Sequence, residues 1–569
     1  GYGFLSESPQ LAEACAEAGL TFVGPSADAM RQLGLKDEAK RLAESASVPV
    51  VPGYFGNATD KKTLRSEAGK IGYPLMVKAV AGGGGRGMRV VEKPDDLAEA
   101  LDSAARESGA AFGDSRLMLE KLVQAPRHIE VQVFGDKDGN VVHLFERDCS
   151  LQRRHQKVIE EAPAPGMSDG LRKRMTDAAV MLTASVGYAG AGTVEFLVEG
   201  GTLADDASFY FIEMNTRLQV EHPVTEEITG LDLVEWQLRV AAGEPLPLKQ
   251  DAIAMSGHAI EARLYAEDPA EDFQPSVGTV HRFDLPGGEG LRIESGLGAG
   301  DIVASFYDPM LAKMIAVGAN RKEALGRMDR ALSEAVILGV TTNTGFLHAL
   351  CTHASVQSAA VDTGLIGREI DFLVGQPNAG ARDRSAVQAG LEALFARASG
   401  PMGQASWDAG DAFQLGPPRQ IVRTVIVDGN TAGLALSWEG GRLAIDGAVN
   451  DSPPEHTVHV VNTSTALVWS DMHQISVTLE GHAGPADTVR SGDGRIVAPI
   501  TGRITQVGVK SGAAVANGDR LLTVEAMKME HVVSADVGGT IETIHVAPGD
   551  QVTDGSILIT IAPDSEVTA

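Results

Sequence analysis

The C-terminal part of the chain contains itself twice. Residues 498–525, APITGRITQVGVKSGAAVANGDRLLTVE, return from 535 onward as ADVGGTIETIHVAPGDQVTDGSILITI. The offset is constant: Gly502 aligns with Gly539, Ile504 with Ile541, Gly512 with Gly549, Val515 with Val552, Gly518 with Gly555 and Leu522 with Ile559. Each half alternates apolar and polar residues between glycine turns, which predicts short antiparallel strands. Two such halves are expected to close into a small flattened β-barrel with approximate twofold symmetry. Between them stands Ala526-Met527-Lys528-Met529, where a hairpin should present the Lys528 ammonium to solvent.

The whole chain has 569 residues, enough for three to five domains. Its net charge of −28 speaks against nucleic-acid binding, which needs a basic excess, and anionic substrates then require local basic clusters. The three cysteines, Cys15, Cys149 and Cys351, form neither metal spacing nor a disulfide framework. No apolar run reaches membrane-spanning length and no targeting segment is visible. A cytoplasmic location is expected, or the mitochondrial matrix in a eukaryote.

Residues 73–91 predict a strand ending at Lys78, a glycine loop (Gly82–Gly87, including Gly83, Gly84 and Gly85) and a second strand. Glycines let the backbone approach phosphates, whose oxygens then accept from the amides. No lysine and hydroxyl pair follows the glycines and no helix begins there, so this is not a P-loop. A mobile lid over a nucleotide is expected. Downstream, Arg147, Arg153, Arg154, His155 and Lys157 crowd into eleven residues. They predict a local cationic pocket for anions, with Gln152, His155 and Lys157 in it. Glu195 and Glu213 each interrupt an apolar strand; buried carboxylates need partners. With Asn215 they suit Mg²⁺ or Mn²⁺ held mainly by substrate phosphates. Alternation along Asn215–His222 aims Asn215, Arg217, Gln219 and Glu221 one way.

These stretches resemble a known family. The duplicated β-domain with Ala526-Met527-Lys528-Met529 resembles the biotinyl domain of biotin-dependent carboxylases, in which the matching lysine, here Lys528, carries biotin. The strand–glycine loop–strand resembles the ATP-grasp fold, and Asn-Thr-Arg-Leu-Gln-Val-Glu-His at 215–222 is specific for biotin carboxylases within it. The resemblance implies ATP contacts by Lys36, Lys78, Gly83, Gly84, Gly85, Glu120, Lys121, His128, Gln152 and His155. It places bicarbonate against Arg217, Gln219 and Val220, with Glu221 as the base that deprotonates it; Lys157 is counted with the catalytic residues. In Leu291-Arg-Ile-Glu-Ser it implies that Arg292 stabilises the biotin enolate, where a fixed guanidinium helps most. Gly-Tyr-Gly-Phe-Leu-Ser-Glu at 1–7 resembles the end of the family's N-terminal α/β domain, so an N-terminally truncated piece is expected.

The expected architecture is multidomain α/β and β. It comprises a remnant of the N-terminal α/β domain and linker (1–49), an ATP-grasp lid (50–122) and a biotin carboxylase C-terminal domain (123–373). A middle domain (374–492) of one helix beside an antiparallel β-barrel follows, and then the biotinyl domain (493–565). The middle resembles, by order along the chain, a carboxyltransferase-docking domain. About 120 residues there are too few for a carboxyltransferase. The resemblance therefore implies an α subunit that carboxylates biotin on Lys528 with ATP and bicarbonate. Its partners would be a biotin protein ligase and a separate carboxyltransferase β subunit in a hetero-oligomer. 3-Methylcrotonyl-CoA is the favoured acyl-CoA, ahead of propionyl-CoA and geranyl-CoA. An ATP-grasp carboxylate–amine ligase and a non-catalytic biotin carrier are the rival readings.

Overall fold

An eight-stranded antiparallel sheet carries most of the residues expected to do chemistry. Its strand order is Leu291–Ser295, Met310–Gly318, His258–Tyr265, Gln156–Ala162, Val141–Arg153, Arg127–Gly135, Gly190–Val198 and Phe209–Asn215. In this computed structural model the described residues are 1–56, 60–80, 88–154, 156–375, 382–398, 420–439, 442–448, 456–480, 494–526, 529–553 and 555–563. The central strands are covered on both faces, and every residue of Arg127–Gly135 is buried. Polar side chains on them are therefore inside the protein and must find partners there.

Two apolar layers hold this sheet. Helix Asp169–Ser185, capped by the Ser168 side chain, lays Leu171, Met175 and Leu182 on Ile129, Val131, Val133 and Phe196. Helix Arg321–Glu334, capped by Asn320, lays Leu325, Met328 and Leu332 on Ile260, Leu264 and Met314. Each such side chain contributes roughly 1.5–3 kcal/mol on burial.

The lid is a separate four-stranded sheet in the order Gly53–Tyr54, Leu117–Lys121, Leu75–Ala79, Arg89–Val91. Leu75 faces Val91 and Val77 faces Arg89, so the strands flanking the glycine loop pair with each other as expected. The loop itself, with Gly83, Gly84 and Gly85, lies outside the described residues. Helices Lys61–Ile71 and Leu97–Phe112 cover the sheet through Leu64, Leu97 and Leu101.

Between residues 382 and 479, helix Arg382–Ala398 lies on a six-stranded antiparallel sheet, with Ala386 and Leu391 against Val425, Val468 and Val477. This layer abuts the larger body. Trp469 and Leu467 meet Leu338, the Gly339 amide donates to Gln474 Oε1 at 2.5 Å, and His281 stacks on His459 at 5.1 Å.

The C-terminal repeat forms two four-stranded sheets. One runs Arg495–Val497, Ile557–Pro563, Gly539–Ile544, Ala514–Val515; the other runs Met529–Ser534, Arg520–Ala526, Gly502–Val507, Gln551–Val552. Shifting each strand by the repeat offset turns the first order into the second, so the repeat operation exchanges the sheets. The paired glycines share their reasons. A Cβ on Gly502 would lie 2.5 Å from the Glu525 carbonyl oxygen, and one on Gly539 would lie 2.2 Å from that of Ala562. Gly512 and Gly549 both turn through the left-handed region, at φ +82° and +100°. Strands Arg520–Ala526 and Met529–Ser534 form the expected hairpin, with Ala526 opposite Met529. Lys528 falls between those ends in the sequence, outside the described residues.

Candidate active site

Lys157 gathers three carboxylates from three different elements. Its Nζ donates to Glu130 Oε2 at 2.5 Å, Glu195 Oε1 at 3.1 Å and Glu221 Oε1 at 2.6 Å. Burial lowers the pKa of this ammonium, but the three carboxylates outweigh it and raise the value well above the usual one. Burial likewise raises the Glu221 carboxyl, and Lys157, Arg263 and Arg147 together hold it well below the carboxylate range. Both shifts favour the charged forms, an ammonium on Lys157 and a carboxylate on Glu221.

Glu195 is the other meeting point. Its Oε1 accepts from Asn215 Nδ2 at 2.6 Å and Gln219 Nε2 at 3.2 Å, and its Oε2 meets His128 Nε2 at 2.9 Å. Gln152 Nε2 approaches His128 Nδ1 at 3.2 Å. Arg217 donates to Gln219 Oε1 at 2.6 Å and Asn215 Oδ1 at 3.2 Å, and its Nε donates to Glu7 Oε2 at 3.0 Å. Asn215, Arg217 and Gln219 therefore converge, and Glu221 joins them through Lys157 and Glu195, although the alternation expected to aim them stops where the strand does. The strand ends at Asn215, and a short turn leads to helix His222–Thr229, whose Pro223 suits a first helical turn. Glu221 stands at the cap position, its carboxylate committed to Lys157 and Arg263 rather than to the helix. The Val220 carbonyl accepts from Lys313 Nζ at 2.9 Å.

Glu195 and Glu213 are direct cross-strand partners, and a cation already sits on each: Lys157 on Glu195 and Lys36, at 3.3 Å, on Glu213. Oxygen donors that collect cations suit a divalent ion beside phosphates. The tight ligand-type clusters among the described residues are His128, Glu130, Glu195 and Glu130, Cys149, Glu221. Glu130 and Cys149 were not among the expected residues.

In the lid, Glu120 sits between Lys78, 2.6 Å from its Oε2, and Lys40, which bonds to its Oε1. Burial raises this carboxyl, and the two ammonium groups bring it down to about 2. Burial lowers Lys40 to about 8. Lys121 ends the same strand, exposed. His155 lies outside the described residues.

The basic stretch 147–157 does not converge as expected. Arg147 is fully buried on Glu130, Gln132, Thr225 and Thr193. Arg153 stacks over Phe273, its guanidinium carbon 3.9 Å from the ring centre, and Arg154 is exposed on Asp272. Strand alternation and a turn at Arg154, at φ +48°, send neighbours to different places. Of the described cations in that stretch, Lys157 alone donates to Glu195 and Glu221, and Arg147 meets it on Glu130.

Arg292 also sits apart. Its guanidinium bonds to Glu226, Glu227 and Glu294. The guanidinium at Glu221 belongs to Arg263, whose Nη2 lies 2.9 Å from Glu221 Oε2. Arg263 was legible only as a charge inside the apolar run His258–Tyr265. Glu130 had a clearer signal, standing two positions from His128 on one strand and so on the same face. A cavity of about 280 Å³ opens beside Lys313, lined by Tyr2, Glu294, Ser295, Met310 and Leu311 among others.

Comparison with known proteins accounts for this arrangement. Residues 1–30 match the biotin carboxylase N-terminal domain and 36–249 match the carbamoyl-phosphate synthase L chain ATP-binding domain. Residues 261–368 match the biotin carboxylase C-terminal domain and 494–561 match the biotin-requiring enzyme family. The mitochondrial methylcrotonoyl-CoA carboxylase subunit alpha of Arabidopsis thaliana is 41% identical, over 99% of this chain and 84% of the relative. That of Rattus norvegicus is 40% identical, over 97% and 81%.

The chain belongs to the methylcrotonoyl-CoA carboxylase α-subunit family.

The biotin carboxylase domain of Hydrogenobacter thermophilus 2-oxoglutarate carboxylase, solved with MgADP, ADP and bicarbonate, superposes with a TM-score of 0.64. It is 41% identical, over 66% of this chain and 82% of that one. The biotin carboxylase of Campylobacter jejuni gives 0.62 at 44% identity, over 65% and 81%. As a member of this carboxylase family, the chain is a ligase joined to a biotinyl domain, and it carboxylates biotin with ATP and bicarbonate. Being an α subunit implies a carboxyltransferase partner.

Proposed function

We propose that this carboxylase α subunit loads the biotin on its own Lys528 and delivers the carboxyl group to a separate β subunit that acts on 3-methylcrotonyl-CoA. The observation that carries the chemistry is the Lys157 ammonium shared by Glu130, Glu195 and Glu221, with Arg263 on the far oxygen of Glu221. The acyl-CoA rests on the names and near-complete overlap of the relatives.

Bicarbonate fits the turn formed by Arg217, Gln219 and Val220. There the Arg217 guanidinium supplies positive charge, and the Glu221 carboxylate, held ionised, takes the proton. Lys157 keeps that carboxylate in place. ATP fits between the lid and the sheet, with Lys36, Lys78, Glu120, Lys121, His128 and Gln152 around it; Gly83, Gly84, Gly85 and His155 complete the proposed set. Glu195, Glu213 and Asn215 would hold Mg²⁺ or Mn²⁺, which would supply positive charge to the phosphates. The cavity beside Lys313 and Tyr2 suits the biotin ring system, and Arg263 is better placed than Arg292 to act on the reacting end near Glu221.

We divide the chain into 1–49, 50–122, 123–373, 374–492 and 493–565, a division supported by the separate sheets. Residues 374–492 are the candidate surface for the β subunit, and biotin protein ligase modifies Lys528. Among the described residues no helix is long and apolar enough to cross a membrane. The relatives' mitochondrial names support the matrix for a eukaryotic source; the cytoplasm is the bacterial counterpart.

Coexpression with the β subunit, followed by bicarbonate-fixation assays on a panel of acyl-CoAs, tests the reading. The expected result is the highest kcat/KM with 3-methylcrotonyl-CoA. Preference for propionyl-CoA or geranyl-CoA would overturn the substrate assignment, and absence of ATP-dependent fixation with every acyl-CoA would overturn the whole.

A further inference from the structure

Behind Arg263 the sheet holds two carboxylates that the reaction above does not use. Glu160 and Glu261 are direct partners across strands Gln156–Ala162 and His258–Tyr265, and both are fully buried. Opposed residues of an antiparallel pair put their side chains on one face, about 4.5–5.5 Å apart at Cβ. Arg263 Nη2 lies 2.5 Å from Glu160 Oε1 as well as 2.9 Å from Glu221 Oε2. The Glu160 contact is a charge contact without hydrogen-bond alignment. Both oxygens of Glu160 and both of Glu261 lack a hydrogen-bond partner among the described residues.

The charges facing this pair are few and largely matched elsewhere. Glu160 feels Arg263, Glu221 and Lys157; Glu261 feels Glu160, Lys313, Arg263 and Glu221. Lys157 is shared by three carboxylates, and Lys313 bonds to Glu294. From helix His222–Thr229, packed on both strands, the titratable groups are His222, whose Nδ1 is taken by the Gln219 carbonyl, and Glu226 and Glu227, both paired with Arg292. Tyr265 follows Arg263 on its strand, and the buried Cys149 thiol adds no positive charge. Two ionised carboxylates opposed here would leave a buried negative charge uncompensated, and carboxyls in that position keep a proton instead.

We infer that Glu160 and Glu261 share a single proton and act as a positioning pair, leaving Arg263 with enough charge to hold Glu221. Burial and the neighbouring carboxylates push both groups above the usual carboxyl range, in the direction this requires. When the shared proton leaves at alkaline pH, a second full negative charge faces Arg263 from behind. The guanidinium is then drawn from Glu221, and turnover falls. The inference rests on the proposed roles of Glu221 and Arg263.

The test is the pH profile of biotin-stimulated, bicarbonate-dependent ATP hydrolysis, read beside infrared difference spectra of the same chain across pH. Glu261→Gln, which cannot ionise, is expected to move the alkaline limb of kcat upward by about one pH unit or more. Glu160→Gln removes the rear counter-charge of Arg263 and is expected to lower kcat with little change in KM for ATP. The parent should show the C=O stretch of a buried protonated carboxyl at neutral pH, diminished in each variant. An alkaline limb unmoved by Glu261→Gln overturns the inference, as does a parent spectrum without that band. If the chain shows no biotin-stimulated hydrolysis, the functional reading fails by itself, and the infrared band still decides whether the pair holds a proton.

Discussion

Arg263 donates from Nη2 to Glu221 Oε2 at 2.9 Å across 42 residues of sequence. Glu221 thereby lies between two cations, with Lys157 on its other oxygen. Arg292, the arginine singled out by its sequence context, is instead bound to Glu226, Glu227 and Glu294. Arg263→Ala is expected to cut biotin-stimulated ATP hydrolysis by roughly 10²-fold, the scale for a preorganised charge at a reacting centre, with ATP affinity little changed. Arg292→Ala is expected to cost less than about tenfold, because its partners are carboxylates outside the Lys157 cluster. Steady-state kinetics alongside nucleotide titration distinguish the two; a larger loss for Arg292→Ala would return the role to that residue.

Lys157→Gln should injure stability as well as activity. Glu130 and Glu221 are fully buried and Glu195 is 4% exposed, so the substitution leaves three carboxylates crowded without their common cation. Breaking a buried ion pair from one side costs about 3–5 kcal/mol. The pH dependence has a definite sign. In the parent, Glu195 and Glu221 are held below the ordinary carboxyl value of 4.5. Their contribution is present above that value and is lost as pH falls. In the variant their pKa values rise, so its deficit in Tm should shrink on acidification and widen toward neutrality. Thermal melts at several pH values check this; a deficit independent of pH would contradict it.

Lys528→Arg tests the attachment site. Mass spectrometry of the parent, coexpressed with a competent biotin ligase, should show one added biotin on the peptide containing 528. The variant should show none, give no streptavidin signal and support no acyl-CoA carboxylation with the β subunit. Biotin found on another lysine would displace the assignment.

His531 lies on the strand that follows Lys528, and its Nε2 is buried without a hydrogen-bond partner among the described residues. The charged groups that act on it, Asp272 and Arg154, belong to the carboxylase half and form an exposed ion pair with each other. Both stand on left-handed backbone, at φ +52° and +48°. Asp272→Lys is therefore expected to slow carboxylation of the tethered biotin several-fold while carboxylation of free biotin stays near the parent rate. Equal effects on the two substrates would place Asp272 inside the site rather than at a landing surface for the hairpin.

Several things could be read without any coordinates. The doubled β-domain was legible because alternation and glycine turns are local, and Gly502 and Gly539 meet the same close carbonyl approach in each half. The pairing across the glycine loop was legible because a short loop joins two strands, and Glu195 and Glu213 were each legible as a carboxylate in an apolar run; their direct opposition is a matter of strand register. Arg217, Gln219 and Glu221 were named from one resemblance and Lys157 from the basic run before them; these lie together in the structure, whereas Arg292, named with them, is bound to Glu226, Glu227 and Glu294.

Strand order is where that reading stopped. Glu130 and Arg263 lie 27 residues before Lys157 and 42 residues after Glu221. The opposition of Glu160 and Glu261 exists because the sheet sets Gln156–Ala162 beside His258–Tyr265. Sequence periodicity says which face a side chain takes; it does not say which distant strand will lie next to it. Only the assembled sheet chose Arg263 over Arg292 as the neighbour of Glu221, since a buried charge takes the counter-charge that packing brings within hydrogen-bond reach.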